Sequence, residues 1–277
     1  MKYAAIIGKN PSKGARSPKL WNKVFSYYNH PIKMIPLDVE EKNLENIIQK
    51  LELDDNFIGG AITNPYKELV LKYINNNCSD EAAKIGAINC IYRDKDNKLF
   101  GINTDGEAAL QSFEIHFGKI KNKNILLFGL GGAGKAVSTY FANKYSDNLV
   151  CVSRKSTDKE FCDKLNCKWL HRDLINSNLV SQSSVIINCT SLGSEFLKDQ
   201  LPFNSKYIDV IKKNTLIFDI IYIPFESKLI KECKKKGIKC LNGSKMNIYQ
   251  AALAYFKSAP IPKNLNKIFD IMSNNEA

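Results

Sequence analysis

Short apolar runs alternate with segments of helical periodicity through the amino-terminal third of the chain. The apolar runs 3–7, 33–36, 59–62 and 88–92 predict strands, whereas 18–28, 44–51 and 106–117 predict helices. Alternation of this kind is typical of an α/β fold.

A complete glycine turn lies in the middle of the chain. The apolar run 125–128 leads directly into Gly129-Leu130-Gly131-Gly132-Ala133-Gly134, and a helix is predicted over 132–144. In a G-x-G-x-x-G turn between a strand and a helix, backbone N–H groups approach the pyrophosphate of a dinucleotide. Because a long stretch of chain precedes this turn, we expect a separate domain upstream.

The pattern after the turn predicts a doubly wound parallel sheet of the Rossmann type. Further strands are predicted at 149–153, 185–188 and 216–220, with helical segments between them. The segment 245–256 has a broad apolar helical face and no strand after it. We therefore divide the 277 residues into an α/β domain over 1–104, a dinucleotide-binding domain over 105–242, and carboxy-terminal helices over 243–277 that return to the first domain.

Charge and hydropathy narrow the class of protein. The net charge is +12, but the lysines are spread along the chain without a nucleic-acid-binding signature, so we expect no nucleic-acid partner. The sequence has no apolar run near the ~18 residues of a membrane span and no leader-like start, which favours the cytoplasm and no membrane contact.

The eight cysteines are predicted to be reduced thiols. They form no C-x-x-C pair, and the three histidines are not spaced as metal ligands, so no metal site is expected.

The residues after the second strand of the glycine-turn domain indicate which dinucleotide is bound. An NAD site places an Asp or Glu there for the ribose 2′-hydroxyl, whereas this chain has Ser153-Arg154-Lys155. A guanidinium can bind the oxygens of a 2′-phosphate in a bidentate manner, which favours NADP. The alternative is that both cations are ordinary surface charges.

Two segments of the first domain carry polar groups that could transfer a proton. They are Thr63-Asn64-Pro65-Tyr66-Lys67 and Asn103-Thr104-Asp105. Oxidation of a secondary alcohol by hydride transfer also requires loss of the hydroxyl proton, and a lysine beside a carboxylate can take it. Taken singly, Lys67 and Asp105 could instead be a surface ion and a turn cap.

Together these motifs resemble the shikimate dehydrogenase family over nearly the whole chain. The matching segments, in order, are Arg16-Ser17-Pro18, Thr63-x-Pro65-x-Lys67, Gly86-Ala87-Ile88-Asn89, Asn103-Thr104-Asp105-Gly106, the glycine turn, Ser153-Arg154-Lys155, Asn188 to Ser191, Asp219-Ile220-Ile221-Tyr222-x-Pro224, and Asn242-Gly243 before Gln250. The resemblance implies NADP-dependent reversible oxidation of shikimate to 3-dehydroshikimate, a step of chorismate and aromatic amino acid biosynthesis, by a monomer or homodimer.

The resemblance also implies a role for each matching position. Lys67 would be the general base or acid and Asp105 its partner. The substrate would contact Ser17, Thr63, Asn89, Tyr222 and Gln250. The cofactor would contact Gly129, Leu130, Gly131, Gly132 and Ala133 through its pyrophosphate, Ser153, Arg154 and Lys155 through its adenosine phosphate, and Thr190, Ile220 and Gly243 at its nicotinamide end.

The amino-terminal substrate loop departs from the family pattern. Family members usually have a serine where this chain has Ala15, a histidine at Gly14, and an asparagine or serine at Ala61. Each lost donor or acceptor removes a substrate hydrogen bond worth ~0.5–1.5 kcal/mol. Two alternatives therefore stay open, which are a relative acting on quinate or another hydroxylated cyclic acid and a non-catalytic NADP-binding sensor.

Overall fold

The strands form two separate sheets in the computed structural model, which describes residues 1–145, 148–259 and 264–274. The first compact unit contains Met1–Asp105 and the chain from Ile248 onward, and the second contains Gly106–Asn247. Assignment of the substrate to one part of the chain and the cofactor to another stays a prediction. No helix of the described residues is both long enough and apolar enough to cross a bilayer.

The strands and helices follow one another in the alternation that the sequence predicts. The strands are β1 (Tyr3–Gly8), β2 (Lys33–Asp38), β3 (Phe57–Ile62), β4 (Cys90–Arg93), β5 (Leu99–Ile102), β6 (Ile125–Phe128), β7 (Leu149–Ser153), β8 (Lys168–His171), β9 (Val185–Asn188), β10 (Leu216–Asp219) and β11 (Lys239–Leu241). The helices are α1 (Ser17–Tyr27), α2 (Leu44–Leu53), α3 (Val70–Tyr73), α4 (Asp80–Ile85), α5 (Asp105–Phe117), α6 (Gly132–Tyr145), α7 (Asp158–Lys164), α8 (Ser177–Gln182), α9 (Lys228–Lys235), α10 (Ser244–Ser258) and α11 (Leu265–Ser273).

The first sheet is mixed and has the strand order β2-β1-β3-β4-β5. β1 pairs in parallel with both β2 and β3, whereas β4 is antiparallel to its two neighbours, β3 and β5. All six residues of β3 are buried, as expected of a strand that is covered on both faces.

Two apolar clusters cover the two faces of this sheet. One contains Trp21 and Phe25 of α1 with Tyr255 of α10, whose ring centroid lies 5.2 Å from that of Trp21. The other contains Ile48 of α2 and Tyr66, with further residues of β1 and β3. The sheet thereby lies between helices from distant parts of the chain.

The second sheet is parallel throughout, with the strand order β11-β10-β9-β6-β7-β8. The chain first adds strands on one side of β6 and then returns to add β9 on the other side. In open α/β sheets ligands bind outside the carboxyl ends of the strands at such a reversal. The turns after β6 and β9 are therefore the positions of interest in this unit.

Strands β5, β8 and β11 are not among the strands predicted from the sequence. β8 and β11 are short edge strands, and their partly exposed residues lack the continuous apolar run that indicates a buried strand. β5 is joined to β4 by a tight turn in which the Asp94 carboxylate accepts hydrogen bonds from the N–H groups of Asp96 and Lys98, both at 2.9 Å. Its four residues are too few to show a period.

Arg93 at the end of β4 is bonded entirely to backbone carbonyls. Its guanidinium donates to the carbonyl oxygens of Leu51 and Glu52 in the last turn of α2, and to those of Asp54, Phe57 and Asn97, over 2.7–3.1 Å. A cation at this end of a helix also complements the helix dipole.

We expect Arg93→Met to lower the free energy of unfolding by about 2–4 kcal/mol, because several carbonyls lose charged donors at once. Urea unfolding measures the change, and Lys98→Met, an exposed cation of the same hairpin, is the matched control. Equal stability of the two variants would show that water replaces the guanidinium without cost.

Candidate functional site

Lys67 and Asp105 form a short ion pair in the first unit. Lys67 follows β3, and the preceding Tyr66 is buried and donates its hydroxyl to the Val39 carbonyl oxygen at 2.6 Å. With Tyr66 fixed in the core, Lys67 extends its Nζ to 2.6 Å from Oδ2 of Asp105, the first residue of α5. The Lys67 side chain is 20% exposed and that of Asp105 5%, so the ammonium is the more accessible of the two groups.

The Asn89 carboxamide holds the other oxygen of this carboxylate. Its Nδ2 lies 2.9 Å from Asp105 Oδ1 and 2.9 Å from Thr104 Oγ1, while its Oδ1 accepts from the Thr104 N–H at 2.8 Å. Asn89 is 2% exposed, so these bonds are shielded from water. The carboxylate is thus fixed on both oxygens.

Helix α10 brings Gln250 to the same cluster. Gln250 Oε1 lies 3.3 Å from Asn89 Nδ2, and the Gln250 carbonyl oxygen accepts from Thr104 Oγ1 at 3.0 Å. Gln250, which is 161 positions from Asn89 in sequence, therefore contacts the same Asn89 carboxamide that holds Asp105. The structure brings together four predicted residues, Lys67, Asp105, Asn89 and Gln250.

Thr63 and Ser17 belong to the same unit. Thr63 packs against the end of β1, where a Cβ added at Gly8 would lie 2.3 Å from Thr63 Cγ2, so only glycine leaves room for this side chain. Ser17 begins α1 and is 5% exposed. Ala15 and Ala61, which depart from the family pattern, pack into the apolar cluster around Trp21.

Close packing in the glycine turn of the second unit requires glycine at two positions. Gly129 has φ +93°, and a Cβ there would lie 2.9 Å from Thr190 Cγ2. A Cβ at Gly134 would lie 2.0 Å from the Gly129 carbonyl oxygen, so glycine lets α6 approach the turn closely. At Gly131, by contrast, a Cβ would meet no heavy atom of the described residues within 4 Å. Leu130, Gly132 and Ala133 complete this turn, and binding of a pyrophosphate there stays a prediction.

A buried network joins the ends of β9 and β10. Asn188 Oδ1 accepts from the N–H and the hydroxyl of Thr190 at 3.0 and 2.7 Å, and Asn188 Nδ2 donates to Asp219 Oδ1 at 3.1 Å. Asp219 also accepts from Ser227 Oγ at 2.6 Å and from the Ile221 N–H at 3.1 Å. Thr190 and the chain around Ile220 are therefore positioned by side chains beneath them.

Burial raises the pKa of Asp219 to about 6, although hydrogen bonds from Ser227, the Ile221 backbone and Asn188 partly counter that effect. Its carboxylate is fully buried, and ionisation is therefore costly.

The predicted adenosine-phosphate segment follows β7. Ser153 is 8% exposed and its Oγ accepts from Trp169 Nε1 at 2.9 Å, while Arg154 and Lys155 are exposed. Two exposed cations thus follow in sequence a serine whose hydroxyl is held by Trp169, and their contact with a 2′-phosphate stays a prediction.

Close packing also fixes the last predicted cofactor residues. A Cβ at Gly243 would lie 1.8 Å from the Ile220 carbonyl oxygen, and the Gly243 N–H donates to the Ile221 carbonyl oxygen at 2.9 Å. Tyr222, predicted as a substrate ligand, belongs to this second unit.

Known proteins resemble this chain both in its amino-terminal part and over most of its length. A sequence model of the shikimate dehydrogenase substrate binding domain matches residues 6–91. A protein of Methanosphaera stadtmanae named shikimate dehydrogenase (NADP(+)) is 33% identical over 260 residues, which cover 90% of this chain and 88% of the relative. The chain belongs to the shikimate dehydrogenase family. The Clostridium botulinum (strain Hall) member is 32% identical over 252 residues, covering 91% of this chain and 94% of its own.

A solved structure agrees with this assignment. A shikimate dehydrogenase crystallised in complex with NADP+ is 28% identical and superposes with a TM-score of 0.85, over 100% of this chain and 96% of its own. Membership of the shikimate dehydrogenase family, predicted from the motifs, is confirmed. The α/β fold with an amino-terminal α/β part and a Rossmann-type sheet is confirmed as well.

Sequence reasoning assigned no role to several residues of these networks. Thr104, Trp169, Ser227 and Asp219 support predicted residues through hydrogen bonds. Asp219 had a signal, because a carboxylate that ends an apolar strand is rarely buried without partners. Trp169 had none, because its contact to Ser153 depends on the pairing of β8 with β7.

We expect the stability of the protein to fall as pH rises from about 4 to about 6 through Asp219, because its folded-state pKa lies above its unfolded value. Asp219→Asn keeps one acceptor and removes the charge. The difference in free energy of unfolding between the variant and wild type should therefore grow in favour of the variant by about 3 kcal/mol as the pH rises from 4 to 7.

Urea unfolding across this pH range measures the difference, with Asp209→Asn, an exposed carboxyl, as control. Parallel curves for wild type and Asp219→Asn would contradict the raised pKa.

Proposed function

We propose that this chain oxidises shikimate reversibly to 3-dehydroshikimate with NADP as the hydride acceptor. The observation that carries the proposal is the Lys67 Nζ to Asp105 Oδ2 contact of 2.6 Å beside Asn89 and Gln250. The relatives named shikimate dehydrogenase (NADP(+)) and the structure solved with NADP+ support the substrate and the cofactor. The step belongs to chorismate and aromatic amino acid biosynthesis.

Oxidation of the substrate alcohol removes a hydride from carbon and a proton from the hydroxyl group. NADP+, when bound, accepts the hydride from the carbon that carries the substrate hydroxyl, and a ketone is formed. Lys67 takes the hydroxyl proton during oxidation and returns it to the carbonyl oxygen during reduction. Asp105 orients Nζ and accepts a hydrogen bond from a second substrate hydroxyl.

The remaining polar groups orient the substrate. The Asn89 and Gln250 carboxamides can donate and accept, which suits vicinal hydroxyl groups. Thr63 adds a hydroxyl next to the Lys67 turn, and Ser17 contacts the substrate carboxylate. The role of Tyr222 as a substrate ligand, which the family resemblance implies, stays a prediction.

On the cofactor side, the glycine turn receives the pyrophosphate, and Ser153, Arg154 and Lys155 receive the 2′-phosphate. Thr190, Ile220 and Gly243 adjoin the nicotinamide. The Asn188–Asp219 network keeps the Thr190 loop and the Ile220 backbone in place before the cofactor arrives.

One observation supports an alternative candidate for the substrate. Ala15 and Ala61 contribute methyl groups to an apolar cluster at positions where family members usually offer hydrogen-bonding side chains. A relative of the same reaction class that acts on quinate or another hydroxylated cyclic acid would tolerate this loss. Cytoplasmic location, assembly as a monomer or homodimer, and the absence of nucleic-acid and membrane partners stay predictions.

We expect Lys67→Ala to lower kcat for shikimate oxidation by about 10²–10⁴-fold, because the proton acceptor is lost, while NADP binding is unchanged. NADPH formation is followed spectrophotometrically with shikimate and with quinate, and Lys72→Ala, an exposed lysine of α3, is the matched control.

Three results decide the proposal. Turnover of shikimate that depends on Lys67 supports it, whereas a large preference for quinate selects the second substrate. Retention of NADP without turnover of any hydroxy acid would instead identify a sensor.

Arg154→Ala and Lys155→Ala should each raise KM for NADP by about 10–100-fold and leave KM for NAD nearly unchanged, because each removes a charged contact to the 2′-phosphate. Lys159→Ala, an exposed lysine of α7, is the control. Equal losses with NAD and NADP would mean that these cations do not distinguish the two cofactors.

A further inference from the structure

Three thiols meet in the interior of the second unit, on β7, on α7 and in the turn after α7, and none of them is assigned above to substrate or cofactor. Cys151, Cys162 and Cys167 are all buried, with exposures of 0%, 0% and 8%. Their sulfur atoms lie within 4.8 Å of one another, and the Cys151 and Cys167 sulfurs are 3.9 Å apart. We call these residues the three-thiol cluster.

Regular structure fixes the position of each thiol. Cys151 is the central residue of β7 and Cys162 lies in α7. Asn166, with φ +53°, reverses the chain after α7, and the Cys167 N–H then donates to the Cys162 carbonyl oxygen at 3.0 Å. β8 begins at the next residue and pairs with β7. A strand, a helix and a closed turn therefore hold the three sulfurs together before any ligand is present.

The size of the triangle matches one coordinated ion. An ion at the centre of an equilateral triangle with 3.9 Å edges would lie about 2.3 Å from each sulfur, the length of a metal–thiolate bond. The other two edges are no longer than 4.8 Å, and a triangle of that size would place its centre about 2.8 Å from each sulfur, so binding requires the sulfurs to move inward by at most about 0.5 Å. All three proposed ligands are sulfur atoms of buried cysteines, so the site needs no water ligand.

The donor set selects the kind of ion. Thiolates are soft ligands that favour Cu(I), Zn(II) and iron–sulfur clusters. Structural Zn(II) sites are almost always tetrahedral, and among the described residues no fourth His, Cys, Asp or Glu joins the cluster. The spacing C-x₁₀-C-x₄-C also matches none of the usual zinc patterns. A three-coordinate, soft, monovalent ion fits best.

We propose that the three-thiol cluster binds a single Cu(I) ion in trigonal three-sulfur coordination. Binding forms three metal–sulfur bonds, breaks the three S–H bonds with release of the three protons to solvent, and leaves copper as Cu(I). The site is separate from the proposed dehydrogenase chemistry, so either proposal can fail without the other.

The test uses the full-length protein, reduced and under anaerobic conditions, with Cu(I) supplied in competition with bicinchoninate. We expect one Cu(I) per chain and an X-ray absorption spectrum with a shell of three sulfurs. Cys151→Ser, Cys162→Ser and Cys167→Ser should each weaken binding at least about tenfold. The double variant Cys233→Ser/Cys240→Ser removes the other adjacent thiols of this unit and should bind as wild type.

Several results would overturn the proposal. These are no competition with bicinchoninate, a two-sulfur shell, binding lost in the Cys233/Cys240 variant but kept in the cluster variants, or tighter four-coordinate binding of Zn(II). Should the serine variants fail to fold by circular dichroism, stoichiometry and the absorption spectrum of wild type decide the question alone.

Discussion

The hydrogen bonds of one buried carboxamide, that of Asn89, organise the proposed catalytic side of the first unit. This side chain reaches the Asp105 carboxylate, the Thr104 hydroxyl and the Gln250 side chain. Because Asp105 in turn holds Lys67, the position of the ammonium depends on a residue that need not itself transfer a proton. Buried hydrogen bonds strengthen one another in a low dielectric, so the group behaves as a single rigid unit.

Asn188 has the corresponding place in the second unit. It also stands at the end of a strand, and its carboxamide connects a threonine on one side with a carboxylate on the other. In both units an asparagine can do this because its side chain donates and accepts at once, whereas a carboxylate there would face Asp105 or Asp219 with a second negative charge. An asparagine thus positions the groups proposed to bind substrate in one unit and those proposed to bind cofactor in the other.

Local signals in the sequence were enough for the glycine turn and for the candidate Lys67–Asp105 pair. Gly129 and Gly134 act through backbone contacts within a few residues or with one neighbouring strand, and their spacing alone predicts this turn. Gln250 could be assigned only through resemblance to a family, because no local pattern relates it to Asn89. The three-thiol cluster was not predicted at all, since its sulfurs meet only after β7, α7 and the turn before β8 have formed.

The contribution of α10 to the first unit has a consequence during synthesis. Tyr255 and its neighbours pack with Trp21 and Phe25 of α1 over one face of the first sheet. They nevertheless leave the ribosome after the whole of the second unit. Domains usually fold in the order in which they emerge. Here the amino-terminal sheet emerges first and acquires its final cover last, so the side of the Trp21 cluster that α10 covers stays exposed until the second unit has been synthesised.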